Sequence, residues 1–316
     1  MQKRRLGRTS LEIAPLVLGG NVFGWTADEK TSFAVLDRFL EGGLDTIDTA
    51  DSYSRWVPGN RGGESETIIG RWMKARGNRD KVVIVTKVGS DMGQGRKDLS
   101  AAYIAKAVED SLRRLQVDTI DLYLSHWPDP STPYEETLEA YKRLIAQGKI
   151  RHCGASNLHA AQLRSALDIA NQHGLPRYDV LQPEYNLYDR ASFDGPLRDL
   201  CVAEEIGVIT YYSLAMGFLS GKYRTEADLA GSVRGGGVRK YLTPRGNRIL
   251  AALDAVAERH GAKPAEVALA WLIAQPGVTA PIASATSVEQ VESLVRAVSL
   301  KLSGEDVAEL DRSSAA

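Results

Sequence analysis

Short β-branched runs alternate with longer stretches of helical periodicity along most of this chain. Leu16–Gly19, Thr46–Asp48, Val82–Lys87, Ile120–Ser125, Ile150–Ala155, Val180–Gln182, Val208–Tyr212 and Thr279–Ile282 read as strands. Helices are expected between them. Asp28 is placed to cap the first, which runs to Gly42-Gly43. Ser100 starts another, whose apolar face carries Ile104, Val108, Leu112 and Leu115. Thr132-Pro133-Tyr134-Glu135 predicts a capping box with proline at the first helical position, and Gly148 stops that helix after Gln147.

Eight strands alternating with helices over this length predict a closed (β/α)8 TIM barrel, with residues 1–316 forming one domain. An open doubly wound sheet is the competing architecture. It is disfavoured because no strand-turn-helix here carries a G-x-G-x-x-G fingerprint. Lys3–Leu6 and Leu11–Ile13 flank Gly7-Arg8-Thr9-Ser10 and predict an N-terminal β-hairpin plugging the barrel's N-terminal mouth. Ser303–Ser313 predicts an extra C-terminal helix with acidic residues in its first turn. Tyr223–Thr243, rich in Gly and Arg, is the longest stretch without a clear pattern, and loops of that length are usually functional or mobile.

Composition narrows the partners. A net charge of −1 leaves no basic footprint for nucleic acid or an anionic membrane, so neither is expected. Lys3, Arg4 and Arg5 open the chain as an export signal would, but Glu12 and Pro15 break the segment that follows. No apolar run reaches the roughly eighteen residues of a membrane span. Cys153 and Cys201 fall in a predicted buried strand and a predicted helix, so a cytoplasmic chain with free thiols is expected. Oligomeric state is not legible.

Three successive strands end in polar residues. Asp48 closes one, with Tyr53 in the loop beyond; Lys87 closes the next; His126 follows the third. Barrel active sites are built at the C-terminal ends of the strands, so the four would converge on one mouth. Each has a plainer reading alone: Asp48 as a turn-former, Tyr53 as a packed aromatic, Lys87 as a solvated strand end, His126 as a satisfied loop histidine. Together they make an acid site. A phenol working near neutral pH gains from a cation that stabilises its phenolate, and Lys87, held charged by Asp48, would lower the Tyr53 pKa. His126 would orient a carbonyl against it.

A proton donor needs an electron source. The five histidines are scattered without metal-ligand spacing, so no metal is expected, and no G-x-S-x-G elbow occurs. The next strands end in Ser156-Asn157, Gln182 and Tyr212-Ser213, where amides can pair with a carboxamide and a tyrosine can stack on a pyridine face. Asn157 could instead cap the helix His159–His173, and Gln182 could be a polar strand end.

With these residues in view, the chain resembles the aldo-keto reductases from Arg5-Leu6-Gly7 to about Leu310. The motifs are Asp48-Thr49-Ala50-Asp51-Ser52-Tyr53, Gly63-Glu64-Ser65-Glu66, Val85-Thr86-Lys87, the tract from Tyr123 to Asp129, Gly154-Ala155-Ser156-Asn157, Gln182-Pro183-Glu184-Tyr185-Asn186 and the tract from Gly217 to Tyr223. The resemblance implies a catalytic tetrad at Asp48, Tyr53, Lys87 and His126, with tyrosine as proton donor. It implies nicotinamide contacts at Ser156, Asn157, Gln182 and a stacking Tyr212, and a pyrophosphate loop at Ser213, Leu214, Gly217, Leu219 and Lys222. Reversible hydride transfer between NAD(P)H and a small carbonyl compound follows, with NADPH usual.

The turn after the last strand, Ser284-Ala285-Thr286-Ser287, departs from the basic residue many bacterial relatives carry for the adenosine 2′-phosphate. Ser284, Thr286 and Gln290 can hydrogen-bond a phosphate without supplying charge, and Leu294 stands where many relatives place an adenine-contacting asparagine. NADPH use is therefore expected with a weakened preference over NADH. Trp25, Trp56 and Trp127 are expected to wall a substrate pocket, beside a lengthened loop Arg55–Gly62. A second reading is a nucleotide-binding regulatory subunit resembling the β-subunits of potassium channels, which share this fold and site.

Overall fold

The computed structural model describes residues 2–315. Its first two strands, β1 (Arg4–Arg5) and β2 (Glu12–Ile13), form an antiparallel hairpin. Eight more close into a parallel barrel: β3 (Val17–Gly19), β4 (Thr46–Asp48), β5 (Val83–Val88), β6 (Ile120–Ser125), β7 (Ile150–Ser156), β8 (Val180–Gln182), β9 (Gly207–Thr210) and β10 (Ala280–Ala283), with β10 pairing β3. Helices alternate with the strands, as the apolar periodicity requires.

The two-residue period of a strand decides which side chains reach the mouth. Val17, Val85, Leu122, Leu124, Val180 and Ile209 fill the barrel interior, while Leu18, Ile47, Ile84, Tyr123, Leu181 and Val208 face the helices. Continuing each inward row to the C-terminal end gives Asp48 on β4, Lys87 on β5, Ser156 on β7 and Gln182 on β8. On β6, Ser125 turns outward to the Tyr141 and Tyr178 hydroxyls (2.8 and 3.0 Å), so the next residue, His126, turns inward. On β5 and β8 the inward row is apolar, through Val83 and Val85 and through Val180, until it reaches Lys87 and Gln182.

The hairpin closes the opposite end. Leu6, Leu11 and Ile13 are buried in the same cluster as the interior strand residues, each stabilising the fold by up to about 1.5–3 kcal/mol. Gly7 makes this approach possible. Its φ is +59°, and a Cβ there would lie 2.3 Å from the Gly207 nitrogen and 2.5 Å from the Asp179 carbonyl. Among the described residues, no helix is long and apolar enough to cross a membrane.

Three local expectations are corrected. The helix expected to begin with a capping box at Thr132 starts at Tyr134, with Pro133 as its cap and no side-chain cap bond. The Thr132 hydroxyl is drawn to Asp129 (2.7 Å) instead. Asn157 does not cap the following helix; His159 does, in a reciprocal pair with Gln162. The segment 223–243 contains two 3-10 turns, Glu226–Leu229 and Arg239–Tyr241, around one helical turn at Gly235–Val238. Asp28, Ser100 and Ser303 each accept a bond from their own helix's first turn, as short polar N-caps do.

Candidate active site

The buried Lys87 ammonium has three N–H donors and three acceptors: the Asp48 carboxylate at 2.7 Å, the Thr49 carbonyl at 2.8 Å and the Tyr53 hydroxyl oxygen at 2.9 Å. Full use of its donors pins the group. The Tyr53 hydroxyl also approaches Asp48 Oδ2 (3.3 Å), and the other Asp48 oxygen accepts from Gln182 Nε2 (2.8 Å). The Tyr53 and His126 rings meet edge to face with centroids 6.1 Å apart. The four strand-end residues therefore form one cluster, drawn from three neighbouring strands and their loops.

Burial pushes the Tyr53 phenol well above its ordinary range, and the neighbouring Asp48 carboxylate pushes the same way. This corrects the expectation that Asp48 and Lys87 together lower it. Asp48 lies close enough to the phenol to oppose its ionisation directly, so the hydroxyl is protonated at neutral pH. Burial also draws the Lys87 ammonium below its usual range, against the pull of Asp48. His126 lies well below the usual imidazole range through burial, then through the charges of Lys87 and Lys97, and is neutral. The site thus holds a neutral acid, a neutral imidazole and one paired cation.

The amides of β7 and β8 form a second layer. Asn157, at a left-handed φ of 61°, donates to the His126 carbonyl (2.9 Å) and to Ser156 Oγ (3.1 Å) and accepts from the Tyr211 hydroxyl (2.7 Å). Ser156 donates to the Gln182 carbonyl at 2.7 Å. Tyr211 was not anticipated from the sequence. Its signal was its place beside Tyr212, where the inward row of β9 continues. Ser90 and Thr49 were also missed, the latter because only its carbonyl is used.

A cleft of about 1580 Å³ crosses this layer. Asp48, Tyr53, His126, Trp56 and Trp127 line it, as do Ser284, Thr286 and Gln290. Ser156, Asn157, Gln182, Tyr212, Ser213, Leu214, Gly217 and Lys222 lie along it. Three expected residues do not line it. Lys87 is covered by its partners, Leu219 is buried with its amide bound to the Leu214 carbonyl, and Trp25 packs edge-on behind Trp56. Tyr212, 41% exposed, lines the cleft.

The cleft suits an elongated anionic dinucleotide. Tyr212, Ala215, Met216 and Gly217 all take left-handed φ values, a backbone curl of the kind that makes anion-binding concavities. A Cβ on Gly217 would come within 3.2 Å of the Lys222 stem, so the glycine lets that ammonium lie against the curl. Lys222 and Arg234 both line the cleft, and neither has an ion-pair partner among the described residues. In the turn after β10, Ser284 donates to Asn21 (2.5 Å), and Thr286 binds Gln290 through its amide (2.8 Å). Those donors are uncharged.

The aldo/keto reductase family model matches residues 15–315. The chain belongs to the aldo/keto reductase family. It is 32% identical to the protein tas of Escherichia coli over 98% of this chain and 97% of that protein. It is 35% identical to the aldo-keto reductase YhdN of Bacillus subtilis over 92% of this chain and 85% of that protein. A putative voltage-gated potassium channel subunit beta of Schizosaccharomyces pombe is 32% identical over 98% of this chain and 92% of its own length. Family membership makes the chain an oxidoreductase and supports a nicotinamide cofactor.

Proposed function

We propose that this aldo/keto reductase reduces a small or medium aldehyde or ketone to its alcohol at the expense of NAD(P)H. A reduced nicotinamide bound along the cleft supplies the hydride. The observation that carries the reading is the Tyr53 hydroxyl, protonated, 2.9 Å from a fully coordinated ammonium. The substrate oxygen accepts from Tyr53, and from His126 across the same pocket. As negative charge develops on that oxygen, Tyr53 releases its proton to it, and the phenolate left behind is stabilised by Lys87. Asp48 takes no proton; it holds the ammonium charged and in place. The Asp48–Lys87 pair is buried, which strengthens its hold on the ammonium.

Ser156, Asn157 and Gln182 would hold the carboxamide end, Tyr212 would stack on the ring, and Ser213, Leu214, Gly217 and Lys222 would hold the pyrophosphate. NADPH is the proposed cofactor, with NADH also accepted, because the Ser284–Gln290 turn offers hydrogen bonds without charge. Trp56 and Trp127 wall the substrate end, with Trp25 bracing Trp56. The direct test follows NADPH absorbance against a panel of aldehydes, ketones, keto-sugars and quinones. Turnover on at least one class is expected.

The likeness to the potassium channel subunit favours a second reading, in which the bound nucleotide reports redox state to a partner. No turnover across the panel, together with co-purification of a membrane partner, would replace the first reading with this one.

A further inference from the structure

His126 contributes to the proposed reaction only if it presents an N–H to the substrate oxygen. A neutral imidazole carries one ring proton, on either Nδ1 or Nε2, and the hydrogen bond at one nitrogen decides the other. Its surroundings fix the ring from four directions. The backbone N–H donates to the Val88 carbonyl (2.8 Å), the carbonyl accepts from Asn157, and the ring lies flat on Trp127 with planes 14° apart. The fourth contact, at 3.0 Å, joins Nδ1 to the hydroxyl of Ser90. Among the described residues, Nε2 has no hydrogen-bond partner.

We infer that Ser90 is a positioning residue: fed by a hydrogen bond from Ser52, its hydroxyl donates to Nδ1 and so keeps the His126 proton on Nε2, the nitrogen left for the substrate. The Ser52 hydroxyl donates to Ser90 Oγ at 3.3 Å. Having accepted that bond, Ser90 has its own proton to give, and Nδ1 is the acceptor in reach. The opposite chain would put the proton on Nδ1 and turn a lone pair toward the carbonyl oxygen, replacing attraction by repulsion.

The loop is built to hold this hydroxyl still. Ser90 is 8% exposed, and its carbonyl accepts from Gln94 Nε2 (2.9 Å). Gly89 before it takes a φ of +105°, and a Cβ there would lie 2.6 Å from Leu99. Burial keeps the ring neutral, and the charged groups around it act the same way. Lys87 from β5 and Lys97 from the following loop both disfavour an imidazolium, and no carboxylate among the described residues is hydrogen-bonded or ion-paired to it. Trp127 and Tyr53 supply only aromatic faces and edges.

The inference rests on the reductase reading for its consequence, though not for its first test. In ¹⁵N-histidine-labelled full-length protein, the His126 resonances, assigned by their loss in His126→Asn, should show a protonated Nε2 and an unprotonated Nδ1. A protonated Nδ1 in the wild type would overturn the proposal, whatever the enzyme reduces. Ser90→Ala should then mix the two tautomers and lower kcat for carbonyl reduction about tenfold, short of the roughly 10²–10³ lost when such a donor is removed outright. The KM for NADPH should not move, and Ser90→Thr, which keeps the hydroxyl, should restore both the spectrum and kcat. A Ser90→Ala protein that loses kcat with an unchanged tautomer would reduce Ser90 to a packing role and overturn the inference. If Ser90→Ala fails to fold, the wild-type spectrum still decides. An absence of carbonyl reduction in the wild type would instead count against the reductase reading.

Discussion

Lys87 lies next to the C-terminal end of a mostly apolar strand, and its ammonium is removed from water with only Asp48, a carbonyl and a phenol around it. Such a pair contributes little net stability, but breaking it is costly, because the partner is left buried and uncompensated. Lys87→Met should therefore destabilise the fold by about 3–5 kcal/mol in urea unfolding, besides abolishing reduction. A loss under about 1 kcal/mol would contradict the reading that the pair's loss leaves a buried charge uncompensated. The same geometry gives Tyr53 two neighbours of opposite effect. Asp48 keeps the proton on, and Lys87 supports its departure when an acceptor arrives. The direction of the Tyr53 shift was not legible in the sequence, because it depends on burial and on which carboxylate oxygen faces the phenol.

The strands themselves were legible. Runs such as Val82–Lys87 combine β-branched residues with a polar C-terminal end, and alternation alone predicts which rows turn inward. Caps were less so: Thr132 obeys the capping-box pattern, yet Asp129 competes for its hydroxyl. Asn157 was ambiguous between cap and site because its left-handed backbone could not be read from residue type. Behind β4 and β5 lies another feature invisible in the sequence. Asp51 is buried with an unpartnered Oδ1, and burial, then the nearby Glu66, raises its carboxyl to about 8. The folded state thus holds a proton that the unfolded chain releases near pH 4, so Asp51 makes stability fall as pH rises from about 4 to about 8. Asp51→Asn should raise the Tm by about 2–4 °C at about pH 8.5, on the scale of one kcal/mol, with the gain vanishing toward pH 4.5. A gain independent of pH would contradict this assignment.

Across the whole molecule, the hairpin seals one end of the barrel and the polar last layer opens the other, so chemistry is confined to one mouth. Trp56, Trp127 and the uncharged Ser284–Gln290 turn all line the cleft. A narrow preference for NADPH over NADH in kcat/KM is expected, and Thr286→Arg should widen it about tenfold by adding a charge-assisted bond to the 2′-phosphate. An unchanged ratio would place that phosphate elsewhere. The backbone curl at Tyr212–Gly217 illustrates what sequence alone could not supply. Gly217 was recognisable, but Leu219 turns its side chain into the core and its amide toward Leu214. All of these arrangements serve one proposed event, transfer of the Tyr53 proton to a carbonyl oxygen. It is tested most directly by single-turnover carbonyl reduction in Tyr53→Phe, with NADPH binding measured by fluorescence. The account predicts a Kd for NADPH within about twofold of wild type and a reduction rate lower by about 10³, within the range for loss of a positioned acid. A variant that binds NADPH normally and keeps more than about a tenth of the rate would contradict it.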